Sequence, residues 1–411
     1  MLFIGYLIIL STWGFWFFSL VKCKSQSNGF NFFLTTSSFL VPFYSISFGL
    51  FGVQISIYKL IPIILFITYL KSSNYRLPKD ISNLFLYFVI NSLFFYCIAL
   101  LTGKFDYLIE LGRNPQKAYL SPIIQSILFL TSIFQIWFIS KKSKINHLKI
   151  LSYYVYGTLL LNFIGYIQLF CYRFNIPWFK YWFLGDVLGR NSDFMWQLAN
   201  NYGVFRMSSL GGEPRHLAAT MILSLFVLIY LRSKNKKINF ITGQSGIFSI
   251  AILSSGILLT FSASGLLSLI TGIGVFLILN KSFKLIFFII IPIAFVIIFP
   301  YEFKFFSSVF WKLKNIEYIL YAAPKDTFSL KCLVDNFNNF VFGYGISMAE
   351  LFKPEKWLYY KTPFELVDKL KDNPTPMDSV VHATSPIIQM LINGGFLGFI
   401  LIIIGFKNRL N

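Results

Sequence analysis

Charge is what this chain lacks. Only 13% of its 411 residues are Asp, Glu, Lys or Arg, against 56% hydrophobic ones. A single soluble core of that length needs a charged surface, so the composition predicts a polytopic membrane protein. Cysteine is scarce as well. Cys23, Cys97, Cys171 and Cys332 are scattered, and no CxxC pair, zinc spacing or disulfide framework joins them. The sequence has no Walker-type phosphate loop, no Ser-His-Asp spacing signature and no DxD pair. Its first outer connections carry no carboxylate cluster that could hold a divalent ion beside a diphosphate, which disfavours metal-dependent chemistry. Ionisable residues are almost absent from the apolar runs, and no repeat with broken helices is evident. Both features count against an ion-coupled transporter.

What is present is a succession of apolar runs. They fall at about 1–21, 30–51, 53–70, 84–103, 120–140, 150–171, 216–231, 240–259, 263–280, 285–301 and 385–406, each near the ~20 residues a helix needs to cross a bilayer. The expected fold is therefore all-α, a single integral membrane domain over 1–411 with about eleven spans. The runs 30–51 and 53–70 are nearly continuous. Lys59 falls inside the second and must either snorkel or mark a later helix start. Eleven spans alternate sides, and the charges test the alternation. One set of connections, from Lys22 and Lys24 to Lys407 and Arg409, holds seventeen basic residues and a single acid, Asp80. The other set holds the remaining fifteen acids. Lys/Arg excess marks the cytoplasmic side, which places the N-terminus outside and the C-terminus in the cytoplasm. A net charge of +20 would suggest nucleic acid in a soluble protein, but here it follows the membrane, so membrane lipids and not nucleic acid are the expected contacts.

Two outer connections are long, 172–215 and 302–384. The first holds four of the eight arginines (Arg173, Arg190, Arg206 and Arg215). It ends in Arg206-Met-Ser-Ser-Leu-Gly-Gly-Glu-Pro-Arg-His216, directly before the apolar run Leu217–Leu231. Pro214 suits the first turn of a helix, where its missing N–H has no partner to lose. Gly211 and Gly212 let backbone approach a ligand closely. A helix start with free N–H groups, flanked by two arginines, is suited to an anion such as phosphate. The plainer alternative is that Arg206 and Arg215 touch lipid headgroups, but neither the glycine pair nor Glu213 is needed for that.

The second long connection carries apolar residues at three- and four-residue steps over 305–320, as expected of a helix lying on the membrane surface. A glycine turn, Phe342-Gly-Tyr-Gly345, follows, and then a charged stretch. The connection ends at Val381-His382-Ala-Thr-Ser385-Pro386, where Ser385 suits an N-cap and Pro386 a first helical residue. Of three histidines, His216 and His382 both stand at outward-facing helix starts. A histidine at an interface is commonly structural, but histidine also titrates near neutrality and can act as a general base.

Four stretches together resemble the O-antigen polymerase and O-antigen ligase superfamily. They are Arg206-x-x-Ser-Leu-Gly-Gly-Glu-Pro-Arg-His, Leu259-Thr-Phe-Ser-Ala-Ser-Gly265-Leu266, Phe342-Gly-Tyr-Gly345, and His382-x-x-Ser385-x-x-x-Gln389-x-x-x-x-Gly394-Gly395-x-x-Gly398. The chain departs from the family in having Ala263 and Ser264 where many relatives carry a basic residue. The resemblance implies a GT-C-like helical bundle in the bacterial cytoplasmic membrane, with its site facing outward. It implies a metal-independent glycosyltransferase, using no cofactor, that polymerises undecaprenyl-diphosphate-linked oligosaccharide repeats into O-antigen, capsule or exopolysaccharide. A chain-length regulator and a flippase are the implied protein partners. In this scheme His382 and Glu213 are the catalytic candidates, while Arg206, Arg215, His216, Gly211 and Gly212 bind the diphosphate. Glu213 either shares the base role or orients Arg215. The rival readings are a ligase that passes finished glycan to another acceptor and, from a different class, a polysaccharide transporter or flippase.

Overall fold

A computed structural model describes residues 11–19, 21, 29–43, 47–50, 53–72, 77, 79–110, 114–141, 146–176, 205–210, 214–233, 244–262, 265, 268–269, 272–274, 333–334, 337–352 and 386–407. The chain falls into two compact units that interleave in sequence. One takes Met1–Phe48, Gln54–Tyr58 and Lys144–Trp311, and the other takes Gly49–Val53, Lys59–Ser143 and Lys312–Asn411.

The first unit contains α1 (11–19), α2 (Gly29–Leu40), α7 (His147–Arg173), α8 (Pro214–Ser233) and α9 (Gln244–Leu259). Its hub is α7, which packs on α2, α8 and α9. Small and neutral polar side chains hold these crossings. Gly157 leaves room for the Phe39 carbonyl, where any Cβ would collide. The Ser38 hydroxyl donates to Ile150 O at 2.8 Å, Ser224 to Thr158 Oγ1 at 2.7 Å, and Asn162 Nδ2 to Ile252 O at 2.7 Å. Such interhelical bonds average about 0.6 kcal/mol each in a membrane protein, so they fix register more than they stabilise.

The second unit contains α3 (Ile57–Ser72, counted from Lys59), α4 (Lys79–Leu101), α5 (Lys104–Glu110), α6 (Pro115–Lys141), α10 (Phe337–Phe342), α11 (Ala349–Phe352) and α12 (Pro386–Lys407). Stacked and edge-on aromatic pairs fill its interior. Phe66 lies 5.7 Å from Phe85 and 5.1 Å from Phe134, and Phe105 lies 4.8 Å from Tyr119. Gly103, at φ +63°, turns the chain from α4 into α5. On α4 the apolar side chains Leu86, Ile90, Leu93 and Phe94 are each more than half exposed. A surface so rich in apolar groups suits hydrocarbon, not water.

Four described helices are long and apolar enough to cross a membrane: Ile81–Leu101, Ala118–Ile139, His147–Arg173 and Ile387–Ile404. Three shorter apolar helices accompany them, Ile57–Leu70, His216–Arg232 and Gly246–Leu259. The protein is a helical membrane protein. The run expected over 30–51 is not one helix. It stops at Leu40, just before Pro42, and is followed by a two-stranded hairpin, β1 (Ser47–Leu50) and β2 (Val53–Ser56). The structure is otherwise helical among the described residues, as the all-α expectation has it, with that hairpin as the departure. Pro42 cannot continue a helix, the Gly49–Gly52 stretch favours a turn, and β-branched Val53 and Ile55 suit a strand. Lys59 then sits in the first turn of α3, half-buried near a helix end, so the later helix start is the alternative that holds.

Candidate functional site

The described part of the predicted arginine-bearing stretch, 205–210, is held from inside the first unit. Gln168, buried on α7, accepts from the backbone N–H of Ser208 at 3.0 Å and of Ser209 at 2.7 Å, while its amide donates to Ser208 Oγ at 3.1 Å. The Ser209 hydroxyl donates to Leu161 O at 2.5 Å. Ser209 itself takes φ +51°, a left-handed conformation that these bonds hold in place. Met207 is fully buried, with its sulfur filling the space that a Cβ on Gly165 would need. One side chain of α7 thus fixes the strand of backbone that carries Arg206.

That strand meets a second motif. Met207 N–H donates to Leu259 O at 3.0 Å, and half-buried Arg206 directs its Nε to Thr260 O at 3.4 Å. Beyond α9 the turn is tight. Thr260 Oγ1 donates back to Ile257 O at 2.7 Å, Phe261 takes φ +44°, and Ser262 Oγ accepts from Gly265 N–H at 3.2 Å as a helix cap does. Gly265 lies against the first turns of α8, since a Cβ there would come within 2.6 Å of Ala218 Cβ. The Thr260–Gly265 turn therefore meets both the Arg206 segment and the start of α8, which lie some fifty residues before it in sequence. Helix α8 begins at buried Pro214, as the sequence predicts.

The site residues fare unequally. Arg206 stands in the convergence, and His216 lies exposed in the first turn of α8. Arg215 is the second helical residue, but its side chain lies outside the described residues, as do Gly211, Gly212, Glu213 and His382. Pro386 opens α12, also as predicted. Among the described residues no group of three or more His, Cys, Asp or Glu side chains is placed to hold a metal ion. A cavity of about 730 Å³ lies in the second unit, bordered by α4 and α10, and none of the predicted site residues lines it. Sequence reasoning missed Gln168. Its signal was a neutral polar side chain deep in an apolar run, the kind of residue that membrane helices keep for a purpose.

Residues 248–403 match the family model described as O-antigen ligase. That part of the chain is similar to O-antigen ligase, in keeping with the resemblance to the O-antigen polymerase and ligase superfamily. The matched stretch includes the Thr260 turn, the Gly343–Gly345 turn, His382 and the glycines of α12, whereas the Arg206–His216 segment precedes it. No curated protein and no solved structure matches this chain. The stretch similar to O-antigen ligase thus lies in a chain with helices long and apolar enough to cross a membrane.

Proposed function

We propose that the protein is a membrane polysaccharide polymerase of GT-C-like fold and about eleven spans, working on the outer face of the bacterial cytoplasmic membrane. It transfers a growing glycan from undecaprenyl diphosphate to a sugar hydroxyl of a newly delivered lipid-linked repeat. The acceptor oxygen attacks the anomeric carbon, the bond from that carbon to the diphosphate oxygen breaks, and the carrier leaves with the electron pair. Arg206, Arg215 and the helix start at Gly211 to His216 hold the diphosphate as its charge grows, which is where fixed donors lower a barrier most. His382 takes the proton of the acceptor hydroxyl. Glu213 shares that task or orients Arg215. Neither a metal ion nor a nucleotide sugar takes part.

The observation that carries this reading is the convergence of Arg206 with the Thr260–Gly265 turn at the start of α8, in a chain whose matched family transfers glycans. The description of that family as O-antigen ligase favours one second reading, transfer of finished glycan to a different acceptor. The surface polysaccharide of a deletion strain separates the two. A polymerase leaves single-repeat material, whereas a ligase leaves long unattached chains. Unchanged polymer of normal length and attachment would sink both.

The sidedness follows the charge bias of seventeen basic residues to one acid. A cysteine at Ser192 should react with an impermeant thiol reagent in intact cells, and one at Ser143 only after lysis. Labelling at Ser143 before lysis would put the arginines on the wrong face.

A further inference from the structure

Two helices of the second unit serve as rulers for depth. The membrane-length part of α4 runs from Ile81 to Leu101, so Asn91 stands at its midpoint, about 15 Å from either end at the rise of an α-helix. The membrane-length part of α12 runs from Ile387 to Ile404, and Gly394 and Gly395 fall at its middle. The helix breaks there. Gly395 takes φ +63° and ψ −168°, and a Cβ on it would collide with the Val341 carbonyl.

The segment 337–352 reaches both midpoints. Phe342 O accepts from Asn91 Nδ2 at 2.9 Å and from the Tyr87 hydroxyl at 3.2 Å. The same two side chains bind the break in α12, with Tyr87 donating to Gly394 O at 2.6 Å and Asn91 to Asn393 O at 3.2 Å. Tyr344 N–H donates to Ile392 O at 2.8 Å, and Phe340 stacks on Phe396 at 5.7 Å. On either side of the turn the chain returns towards the end of α4. Leu333, Met348 and Leu351 cluster with Ala99 and with Phe105 of α5.

The backbone of the turn is dry. Gly343, Tyr344, Gly345 and Ile346 are all buried. The N–H groups of Gly343, Tyr344, Ile346, Ser347 and Met348 all find protein acceptors, at 2.8 to 3.4 Å. A loop on an aqueous face can leave such groups to water. In hydrocarbon each unpaired one costs several kcal/mol, and irregular backbone survives only where protein satisfies it. Gly343 and Gly345, at φ +72° and +79°, permit the tight reversal.

We propose that residues 337–352 form a re-entrant hairpin. It enters from the side where α4 ends, turns at Gly343–Gly345 at half the depth of the bilayer, and is seated by Tyr87 and Asn91 on the break in α12. The hairpin makes the outer half of α12 a separately held half-helix. This goes beyond the proposed activity and does not depend on it.

The test uses the full chain in lipid vesicles, its native cysteines replaced and a nitroxide placed at Phe340 or, in a second variant, Phe337. Both positions have exposed side chains. Power saturation with oxygen and with the polar relaxant NiEDDA reads the depth. A label at Phe340 should match one at Leu93 in the middle of α4, with oxygen reaching it and the nickel complex excluded. Nickel access equal to that of a label at Glu110 would make the segment a surface loop and overturn the proposal. In a Tyr87→Phe, Asn91→Leu background the Phe340 label should become mobile and shallower. An unchanged spectrum at unchanged depth would show that these two side chains do not seat the hairpin.

Discussion

Arg206→Ala and Arg215→Ala should each cut polymer formation by about 10²–10³-fold, since removing one donor from a developing anion typically costs roughly 3–4 kcal/mol of barrier. Lysine at either position should recover only part of the rate, because a point charge cannot reproduce the planar fork of a guanidinium. The place of Arg206 sharpens the expectation. The backbone that follows it is held by Leu259 O at Met207 and by Gln168 at Ser208 and Ser209, so its side chain is presented from a fixed base. Gln168→Leu, which removes no charge, should therefore reproduce part of the Arg206 loss by freeing the Ser208 and Ser209 amides. Each buried amide left without a partner also costs about 1–3 kcal/mol of stability, visible as a lower midpoint of thermal unfolding. The assay is purified protein at matched expression with lipid-linked repeats. Full-length polymer from both alanine variants would return these arginines to the role of headgroup anchors.

The helices that the sequence located best are those bounded by residues with one mechanical meaning. Pro214 and Pro386 open α8 and α12 because proline at a first helical position gives up no hydrogen bond. The apolar runs expected at 84–103, 120–140, 150–171 and 216–231 return as α4, α6, α7 and α8, shifted by at most five residues at either end. The β-hairpin at Ser47–Ser56 was hidden because hydropathy reports burial in an apolar medium and not backbone conformation. The break in α12 was hidden for a related reason. Gly394, Gly395 and Gly398 had a visible spacing, but only the close approach of Val341 and Phe88 shows why side chains are excluded there. The site was legible in its parts and not in its assembly. Arg206 and Thr260 lie more than fifty residues apart, and no local rule pairs them. Nor does any local rule select Gln168 as the residue that orders the Arg206 strand, since its bonds run to backbone forty residues away.

His382→Ala should leave a folded protein with little turnover, since general-base assistance is typically worth about 10²–10⁴-fold. In sequence His382 lies four residues before Pro386, where α12 begins. That helix is itself held at its middle by Tyr87 and Asn91. A base works as neutral imidazole, so wild-type activity should fall as the pH drops and the ring takes up a proton. The His382→Ala residue of activity should lose that acid limb, which separates loss of a base from loss of shape. The proposed chemistry draws its charge stabilisation from arginine and helix-start donors, so EDTA should leave turnover unchanged. Abolition by EDTA, reversed by added divalent metal, would transfer leaving-group stabilisation from the arginines to an ion. Wild-type rates in His382→Ala, with the acid limb intact, would move the base to Glu213 or to the substrate itself. Glu213→Gln decides between these two. Loss of turnover there identifies the carboxylate as the base, and retention leaves the acceptor hydroxyl to lose its proton without a protein group.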